Sequence, residues 1–431
     1  TWPERASRSC WIFFLKSVGM SLWMKKPELL VPASSLEVLK TAVRYGADAV
    51  YIGGEVFGLR AKAKNFSLEE MKEGVEFAHR YNVKVYVTAN ILAHNSDIEP
   101  VKAYFNDLKK VKPDALIIAD PAIFTIAKEM LPDMELHIST QANNTNYGTY
   151  NFWHSLGAKR VVSARELSIS EIKDIRNHIP DDLEIETFVH GAMCISYSGR
   201  CLLSSFMAGR DANKGACTHP CRWKYAVVEE SRPGQYMPVE ENERGTYIFN
   251  SKDLCMIDHI PELVDAGIDS FKIEGRMKTA LYVATVARTY RMAIDDYFEN
   301  PKKYEENIPK YKTLISQCTY RQYTTGFFFG KPDETTQIYD CNVYERDYVY
   351  LGISGEPLED GSFVIEQKNK FCVGDKIEIM KADGRDIEAN VISITDQDGV
   401  AMESCPHPKQ IITIKLDQVP EAGDILRMKA E

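Results

Sequence analysis

From Glu28 onward, short apolar runs rich in β-branched residues alternate with longer segments of helical periodicity. This alternation is typical of strands and helices that take turns around a parallel sheet. The apolar runs predict eight strands, at Leu29–Pro32, Ala49–Ile52, Lys84–Thr88, Ala115–Ala119, Glu135–Ser139, Arg160–Ser163, Glu184–Val189 and Ser270–Ile273. Eight such units over about 250 residues predict a (β/α)8 TIM-like barrel, here residues 26–300. An open doubly wound sheet is the alternative, but the Gly-x-Gly-x-x-Gly fingerprint that it can carry does not follow the first strand.

The segments between the strands predict amphipathic helices, and one of them begins with the capping-box pattern Ser67–Glu70. Beyond the barrel, the periodicity predicts helices at Thr279–Phe298 and Tyr304–Gln317, the second within a helical connector over 301–344. In the rest of the chain, apolar and polar positions alternate as they do in strands. This pattern predicts a small all-β barrel domain over residues 345–431.

Composition narrows the kind of partner that the protein binds. The 431 residues carry a net charge of −10, so no overall positive field is available to hold nucleic acid, and contact with RNA would need a local basic patch. Near the N-terminus, the apolar run 10–15 is shorter than the ~18 residues of a membrane span. No small-residue cleavage site follows it before Lys25. We expect a disordered N-terminal extension over residues 1–25 and a cytoplasmic protein that does not enter a membrane.

Cysteines mark the candidate site. Four of the ten cysteines fall within 28 residues: Cys194, Cys201, Cys217 and Cys221. Cys255 follows 34 residues after the last of them. They belong to an aperiodic insertion, 194–255, that follows the seventh predicted strand. Loops after barrel strands form the catalytic face, so this insertion is predicted to be part of an active site. Clustered thiols in a large acidic chain indicate metal or redox chemistry in a reducing compartment.

The cysteine spacing alone leaves the kind of centre open. Thiolates are soft ligands that hold either Zn²⁺ or an iron–sulfur cluster. Structural zinc sites usually contain closely paired cysteines, and here only Cys217 and Cys221 are close in sequence. The wider spacing of the others favours a [4Fe–4S] cluster. Free thiols packed as small apolar side chains are the remaining alternative.

The residues around these cysteines resemble a known signature. The stretches 186–194, 198–205, 217–221 and 250–255 closely resemble that of peptidase family U32, the collagenase-like proteins. Four other stretches are similar to the family as well: Glu28–Ser34, Gly58–Phe66, Phe271–Arg276 and Thr325–Pro332. The resemblance extends over about residues 26–430.

The resemblance implies a function that differs from the family's name. Its better understood members are oxygen-independent hydroxylases of tRNA wobble uridine, of a ribosomal RNA cytidine, or of ubiquinone precursors. They carry an iron–sulfur cluster, and the members that act on RNA depend on prephenate. The chain length and the C-terminal β domain are most similar to the tRNA branch. We therefore expect an iron–sulfur, prephenate-dependent enzyme that hydroxylates C5 of the wobble uridine in tRNA.

The resemblance also implies a ligand set. The hydroxylase pattern has six residues between its first two cysteines, a third cysteine about sixteen residues on and a fourth nearly forty residues later. In this chain the pattern selects Cys194, Cys201, Cys217 and Cys255. Cys221 is the rival for the fourth position. Cys255 is preferred because it follows the strand-like Tyr247–Phe249 and could approach the mouth of the barrel.

Charged residues after the predicted strands are the other candidates. Arg60, Arg165 and Arg276 are expected to bind prephenate or a similar small dicarboxylate through guanidinium–carboxylate pairs. Each could equally form a structural ion pair at the end of the barrel. His190 and Glu274 are expected to be catalytic.

Two other functions remain open on the sequence. His190 precedes Cys194 by four residues, so a cysteine or metal peptidase is the main alternative, although neither a Gly-x-Ser-x-Gly nor a His-Glu-x-x-His motif is present. An RNA-binding scaffold whose cysteines only brace a loop is the third, and the acidic composition argues against it.

Overall fold

The computed structural model describes the chain in seven ranges: 25–54, 65–194, 196–223, 226–228, 236–238, 251–331 and 345–430. The predicted N-terminal extension, apart from Lys25, and the candidate Arg60 lie outside them. None of the helices in these ranges combines the length and the apolar content that a membrane-spanning helix needs.

The strands, in chain order, are β1 (Glu28–Pro32), β2 (Ala49–Gly53), β3 (Lys84–Ala89), β4 (Ala115–Ile118), β5 (Glu135–Ile138), β6 (Arg160–Val162), β7 (Glu184–Ala192), β8 (Ala226–Val228), β9 (Tyr236–Pro238), β10 (Asp253–Cys255), β11 (Ser270–Ile273), β12 (Tyr323–Thr324), β13 (Tyr348–Ile353), β14 (Phe363–Glu366), β15 (Lys376–Met380), β16 (Asp386–Thr395), β17 (Ala401–Met402), β18 (Ile411–Leu416) and β19 (Ile425–Lys429). The helices are α1 (Leu36–Arg44), α2 (Leu68–Arg80), α3 (Ile98–Val111), α4 (Pro121–Met130), α5 (Tyr147–Ser155), α6 (Ile169–Asn177), α7 (Leu203–Ala208), α8 (Ile260–Asp265), α9 (Ala280–Glu299) and α10 (Pro301–Ile315).

Strands β1 to β7 and β11 form a closed parallel barrel, which confirms the predicted fold class. Each of β1 to β6 pairs in parallel with the strand that follows it in the chain, and β11 pairs in parallel with both β7 and β1. The predicted capping box is present: Ser67 accepts from the backbone N–H of Glu70, and the Glu70 carboxylate accepts from that of Ser67. The short strands β10 and β12, which the periodicity did not predict, extend the sheet beyond the end of β7.

Charged side chains fill the end of the barrel opposite the catalytic face. The guanidinium of buried Arg160 donates to Glu28 at 2.6 Å, to Glu184 at 2.7 Å and to Glu186 at 3.1 Å. On the other side of Glu186, the ammonium of Lys272 donates to its second oxygen at 2.5 Å. Buried charges are tolerated only where partners surround them, and this network joins β1, β6, β7 and β11 through charged partners.

The C-terminal strands form a separate antiparallel sheet in the order β13-β19-β15-β16-β18-β14. Its end strands are linked by backbone hydrogen bonds from Gly355 to Val364 and from Lys368 to Leu351, which brings the sheet close to a closed barrel. The predicted all-β character of this region is therefore confirmed.

This sheet packs against the barrel through α1 and α9. Tyr45, which directly follows α1, donates to the carbonyl of Met380 and accepts from the N–H of Ile425. Arg288 of α9 donates to Asp386 at 2.8 Å. Since α9 lies between the two sheets, 16 of its 20 residues are buried, a pattern typical of a helix that is covered on every side.

The buried carboxylate of Glu28 should make stability depend on pH. Burial raises its pKa, but the charge of Arg160 outweighs burial and lowers the pKa from 4.5 to about 2. The contribution of the Glu28 carboxylate to the free energy of unfolding is therefore complete above about pH 4.5. It is lost as the pH falls from 4.5 to 2, because this carboxylate takes up its proton at higher pH in the unfolded chain than in the folded one. Glu28→Gln should reduce the free energy of unfolding at pH 7 by about 3 kcal/mol and flatten this acid limb.

Urea denaturation between pH 7 and pH 2.5 measures this effect. Glu388→Gln is the matched control, because Glu388 and its partner Lys376 are largely exposed and 3.9 Å apart. Equal losses in the two variants would contradict the role given to the network.

Candidate active site at the mouth of the barrel

A cavity of about 190 Å³ opens at the carboxyl ends of the barrel strands. Its floor is made by inward-facing strand residues, and its wall by the cysteine-rich insertion. Side chains alternate along a strand, so Ser270, Lys272 and Glu274 all face the interior from β11. Phe188 does the same from β7. The part of the insertion that the structure describes up to Cys221 therefore lies at the carboxyl ends of the barrel strands.

Lys272 provides a positive charge on the floor of this cavity. Its side chain is 5% exposed, and its ammonium lies 2.5 Å from Glu186 and 4.6 Å from the centre of the Tyr51 ring. Burial lowers the pKa of Lys272, and the adjacent Glu186 carboxylate opposes that shift. Lys272 has the same strand parity as Glu274, which is why both side chains line the cavity.

The two predicted arginines in the described ranges both line the cavity. Arg165 stacks on Phe188, 4.0 Å from the ring centre, and donates to the carbonyl of Ala192 at 2.8 Å. Arg276 is buried and donates to Thr88 at 3.1 Å. These contacts fix the guanidinium planes at the cavity wall.

Arg276 has room to lie there because β2 ends in glycine. A Cβ atom on Gly53 would be 1.9 Å from Nη2 of Arg276. Any side chain at position 53 would therefore push the guanidinium away from the cavity.

Neutral amides complete the floor. Asn90 donates to Ser139 at 3.1 Å, while its Oδ1 atom has no hydrogen-bond partner in the described part of the chain. The same holds for Oε1 of buried Gln141. A buried polar atom without a partner costs free energy, so these oxygens are suited to accept hydrogen bonds from a ligand.

Four cysteines line the cavity: Cys194, Cys201, Cys217 and Cys221. The backbone N–H of Leu203 donates to the sulfur of Cys201, and the N–H of His219 to that of Cys217, both at 3.4 Å. Such bonds stabilise sulfur ligands and tune the centres that they hold. Within the described ranges, no three Cys, His, Asp or Glu side chains surround a point where one metal ion would fit.

Cys255 lies elsewhere. It is buried on β10, which pairs with β7 in antiparallel register so that Cys255 stands opposite His190. Its side chain lines a different cavity, together with Tyr320 and Tyr323. Burial raises its pKa to about 12. The structure therefore separates Cys255 from the other three predicted ligands and brings its rival Cys221 to them.

His190 also lies outside the cavity, and a β-bulge is the physical reason. The register between β7 and β11 shifts so that Lys272 faces Phe188 but Ile273 faces His190. The extra residue, Val189, turns His190 toward the outer layer, where its ring lies 5.6 Å from that of Tyr290. Burial lowers the pKa of His190 to about 3. Regular alternation would have placed this side chain inside.

Glu274 lines the cavity and is partly exposed. Its backbone is held on both sides: its N–H donates to the carbonyl of His190 at 2.8 Å, and its carbonyl accepts from Tyr282 at 3.0 Å. Gly191, with φ +108°, passes so close that a Cβ there would be 2.5 Å from that carbonyl oxygen. His219, which the sequence analysis did not consider, lines the cavity beside Cys217.

Comparison with known proteins gives consistent matches over nearly the whole chain. The model of peptidase family U32 matches residues 34–338, and that of the family's C-terminal domain matches residues 346–427. The chain is 40% identical to tRNA hydroxylation protein P1 of Bacillus subtilis over 95% of this chain and 96% of that protein. It is 37% identical to tRNA hydroxylation protein P of Escherichia coli, over 94% and 97% respectively. A Methanocaldococcus jannaschii relative named as an uncharacterized protease is 43% identical over 70% of this chain and 73% of its own.

Thiol reactivity in the metal-free protein should separate the two groups of cysteines. Cys194 is exposed, whereas burial raises the pKa of Cys255 and of Cys318 to about 12. Because the thiolate is the reactive form, iodoacetamide at pH 8 should alkylate Cys255 at least about 100-fold more slowly than Cys194. Peptide mass spectrometry over time measures both rates, and complete labelling in guanidinium is the control. Comparable rates would show that Cys255 reaches the surface.

Proposed function

This chain belongs to peptidase family U32, and we propose that it is an RNA-modifying enzyme that hydroxylates tRNA rather than a peptidase. Two relatives that match it over nearly their whole length are named as tRNA hydroxylation proteins. The observation that carries the proposal is the composition of the cavity: four cysteines of the insertion line it together with the cationic residues Arg165, Lys272 and Arg276. Peptide hydrolysis by a thiol needs one cysteine and a base, so it does not account for four cysteines beside three cationic side chains.

We further propose that Cys194, Cys201, Cys217 and Cys221 hold a [4Fe–4S] cluster. Four thiols on one wall, two of them already accepting backbone N–H bonds, provide the number of sulfur ligands that such a cluster needs. A bound cluster would supply one-electron redox chemistry at the cavity wall. This set replaces Cys255, the fourth ligand expected from the sequence, with Cys221.

The cationic residues are suited to bind a small dicarboxylate, and we propose prephenate as the co-substrate. Arg165 and Arg276 present guanidinium groups already oriented by protein contacts, and Lys272 adds a third positive charge from below. Carboxylate binding in a partly desolvated site is strengthened by such oriented donors. Glu274, at the same mouth, is placed to accept a proton from a bound group.

The amides of the floor suit the target base. A uracil edge offers the N3–H donor between two carbonyl acceptors, and the amides of Asn90 and Gln141 offer both acceptors and donors. A base that reacts in an enclosed cavity must leave its stack, which is easiest in a single-stranded loop. Hydroxylation at C5 of the wobble uridine is the reaction that we propose on these grounds.

The peptidase alternative loses its expected pair of residues. Cys194 lines the cavity, but His190 is buried behind the bulge in β7. A thiol nucleophile would need His219 as its base instead, the histidine that shares the cavity. The relative named as a protease keeps this alternative worth testing.

Single Cys→Ser variants test the cluster and the activity together. Each of the four cavity cysteines, when changed, should lose most bound iron and sulfide and at least about 90% of hydroxyuridine, since a cluster that lacks one thiolate becomes labile. Cys255→Ser should retain both, because its side chain lines another cavity. The measurement is nucleoside mass spectrometry of tRNA from an Escherichia coli strain that lacks its related protein and expresses each variant, with iron analysis of the purified chains.

The outcomes separate the possible functions. Failure of the wild-type chain to restore hydroxyuridine above the empty-vector level would refute tRNA hydroxylation. Loss with Cys255→Ser and retention with Cys221→Ser would restore the ligand set expected from the sequence. Dependence on Cys194 and His219 alone, with peptide cleavage that survives Cys217→Ser, would establish the peptidase.

Whether the paired N–H donors of a guanidinium bind the co-substrate can be tested at Arg276. Arg276→Lys keeps the charge but loses the planar pair of donors, so the KM for prephenate should rise about 10- to 100-fold while kcat changes less. Hydroxylation of unmodified tRNA by the anaerobically reconstituted enzyme, followed across prephenate concentrations, measures the split. Arg385→Lys, an exposed change in the C-terminal domain, is the control. An unchanged KM would exclude Arg276 from co-substrate binding.

A further inference from the structure

The insertion carries a group of exposed apolar side chains beside the cavity, which we call the rim: Tyr197, Leu202, Phe206 and Trp223. Phe206 is 86% exposed, more than any other large apolar side chain in the described ranges, and Leu202 is 68% exposed. Tyr197, which is 45% exposed, also lines the cavity. Large exposed apolar groups usually mark a binding surface. The rim is thus continuous with the entrance to the proposed active site.

The rim is held firmly although its side chains are free of the core. The hydroxyl of buried Ser204, on α7, accepts from the N–H of Thr218 at 3.1 Å and lies 3.2 Å from its hydroxyl. This contact joins the helix that bears Phe206 to the loop of Cys217. On the other side, Asn143 donates to the carbonyl of Ser198 at 3.0 Å. Exposure of the rim is therefore not a consequence of a loosely attached loop.

The charge of the same segment differs from that of the whole chain. Residues 196–223 contain four basic residues and one acidic residue, whereas the full chain carries a net charge of −10. The single acid, Asp211, caps the backbone N–H of Asn213 at 2.8 Å. Arg210 is exposed, and Lys214 is 40% exposed and 3.6 Å from Asp97. This segment therefore carries a local excess of positive charge, as RNA contact requires.

We propose that the rim binds the single-stranded loop of an RNA substrate, with unpaired bases stacked on Phe206 and Trp223 and phosphates paired with Arg210 and Lys214. This inference rests on the proposed function and extends it. When one base enters the cavity, its neighbours lose their stacking partner, and aromatic side chains at the mouth replace that partner. Stacking tolerates any base, while the cations supply the attraction to the backbone. The alternation of aromatic and basic residues favours RNA over a purely apolar protein partner.

The test compares Phe206→Ala with Phe152→Ala in the reconstituted holoenzyme. Both are exposed phenylalanines, but Phe152 lies on α5 of the barrel's outer layer rather than on the insertion. Fluorescence anisotropy with an unmodified anticodon stem-loop RNA should give about a tenfold higher Kd for Phe206→Ala and no change for Phe152→Ala. A 2-aminopurine next to the target base should be quenched on binding to the wild type and less so on binding to Phe206→Ala.

A salt series tests the phosphate contacts separately. Arg210→Ala and Lys214→Ala should each reduce the slope of log Kd against log salt concentration by about 0.7. Lys376→Ala, an exposed lysine of the C-terminal domain, should leave the slope unchanged. Thermal unfolding of each variant establishes that it is folded.

Three results would overturn the inference. Unchanged affinity and quenching in Phe206→Ala would remove the rim from RNA binding, even if the cysteine variants lose hydroxyuridine and so uphold the proposed function. Loss of self-association in that variant, with RNA affinity intact, would make the rim a contact between copies of this chain. Failure of the wild type to bind the stem-loop while it still hydroxylates full-length tRNA would place recognition outside the loop.

Discussion

The carboxylate of Glu186 is the group on which both the barrel and its site depend. One oxygen accepts from Arg160, which also donates to Glu28 and Glu184. The other oxygen accepts from Lys272 beneath the cavity. A carboxylate with no solvent exposure needs these two cations, and the cations in turn need it. The network thus holds β7 and β11 side by side where the barrel closes. It also delivers a positive charge to a floor that is otherwise aromatic and amide.

The bulge in β7 then divides the chemistry between two sides of one strand. Before Val189, inward residues of β7 build the floor of the cavity; after it, His190 faces the outer layer instead. The carbonyl freed at Val189 accepts from Met256 and Tyr290, so the irregularity is satisfied by hydrogen bonds. A separate, antiparallel pairing sets β10 against the end of β7 and keeps Cys255 behind the wall. The bulge therefore decides that His190 stays out of the cavity, and the pairing of β10 does the same for Cys255.

An acidic enzyme that acts on RNA must concentrate its attraction where the substrate enters. In this chain, residues 194–223 of the insertion carry the cavity cysteines, an excess of basic residues and the aromatic ring that is most exposed among the described residues. The insertion is anchored to the barrel through Asn143 and internally through Ser204. The proposed redox centre, co-substrate cations and RNA surface would therefore be placed by two connected structural units, the barrel ends and this insertion.

The sequence by itself determined the barrel, the C-terminal sheet and the position of the insertion, because each depends on local periodicity and on the order of the elements. Ser270–Ile273 was predicted at its observed limits, and the cysteines, arginines and Glu274 were found as strand-end or loop residues. Only the tertiary structure decided which of them meet. The inclusion of Cys221 depends on where the insertion lies against the mouth of the barrel. The exclusion of His190 and Cys255 follows from a bulge in β7 and from the antiparallel pairing of β10 with β7. Both are contacts between segments far apart in the chain, and a shift of one residue in register turns a side chain to the opposite face without changing the local pattern of the sequence.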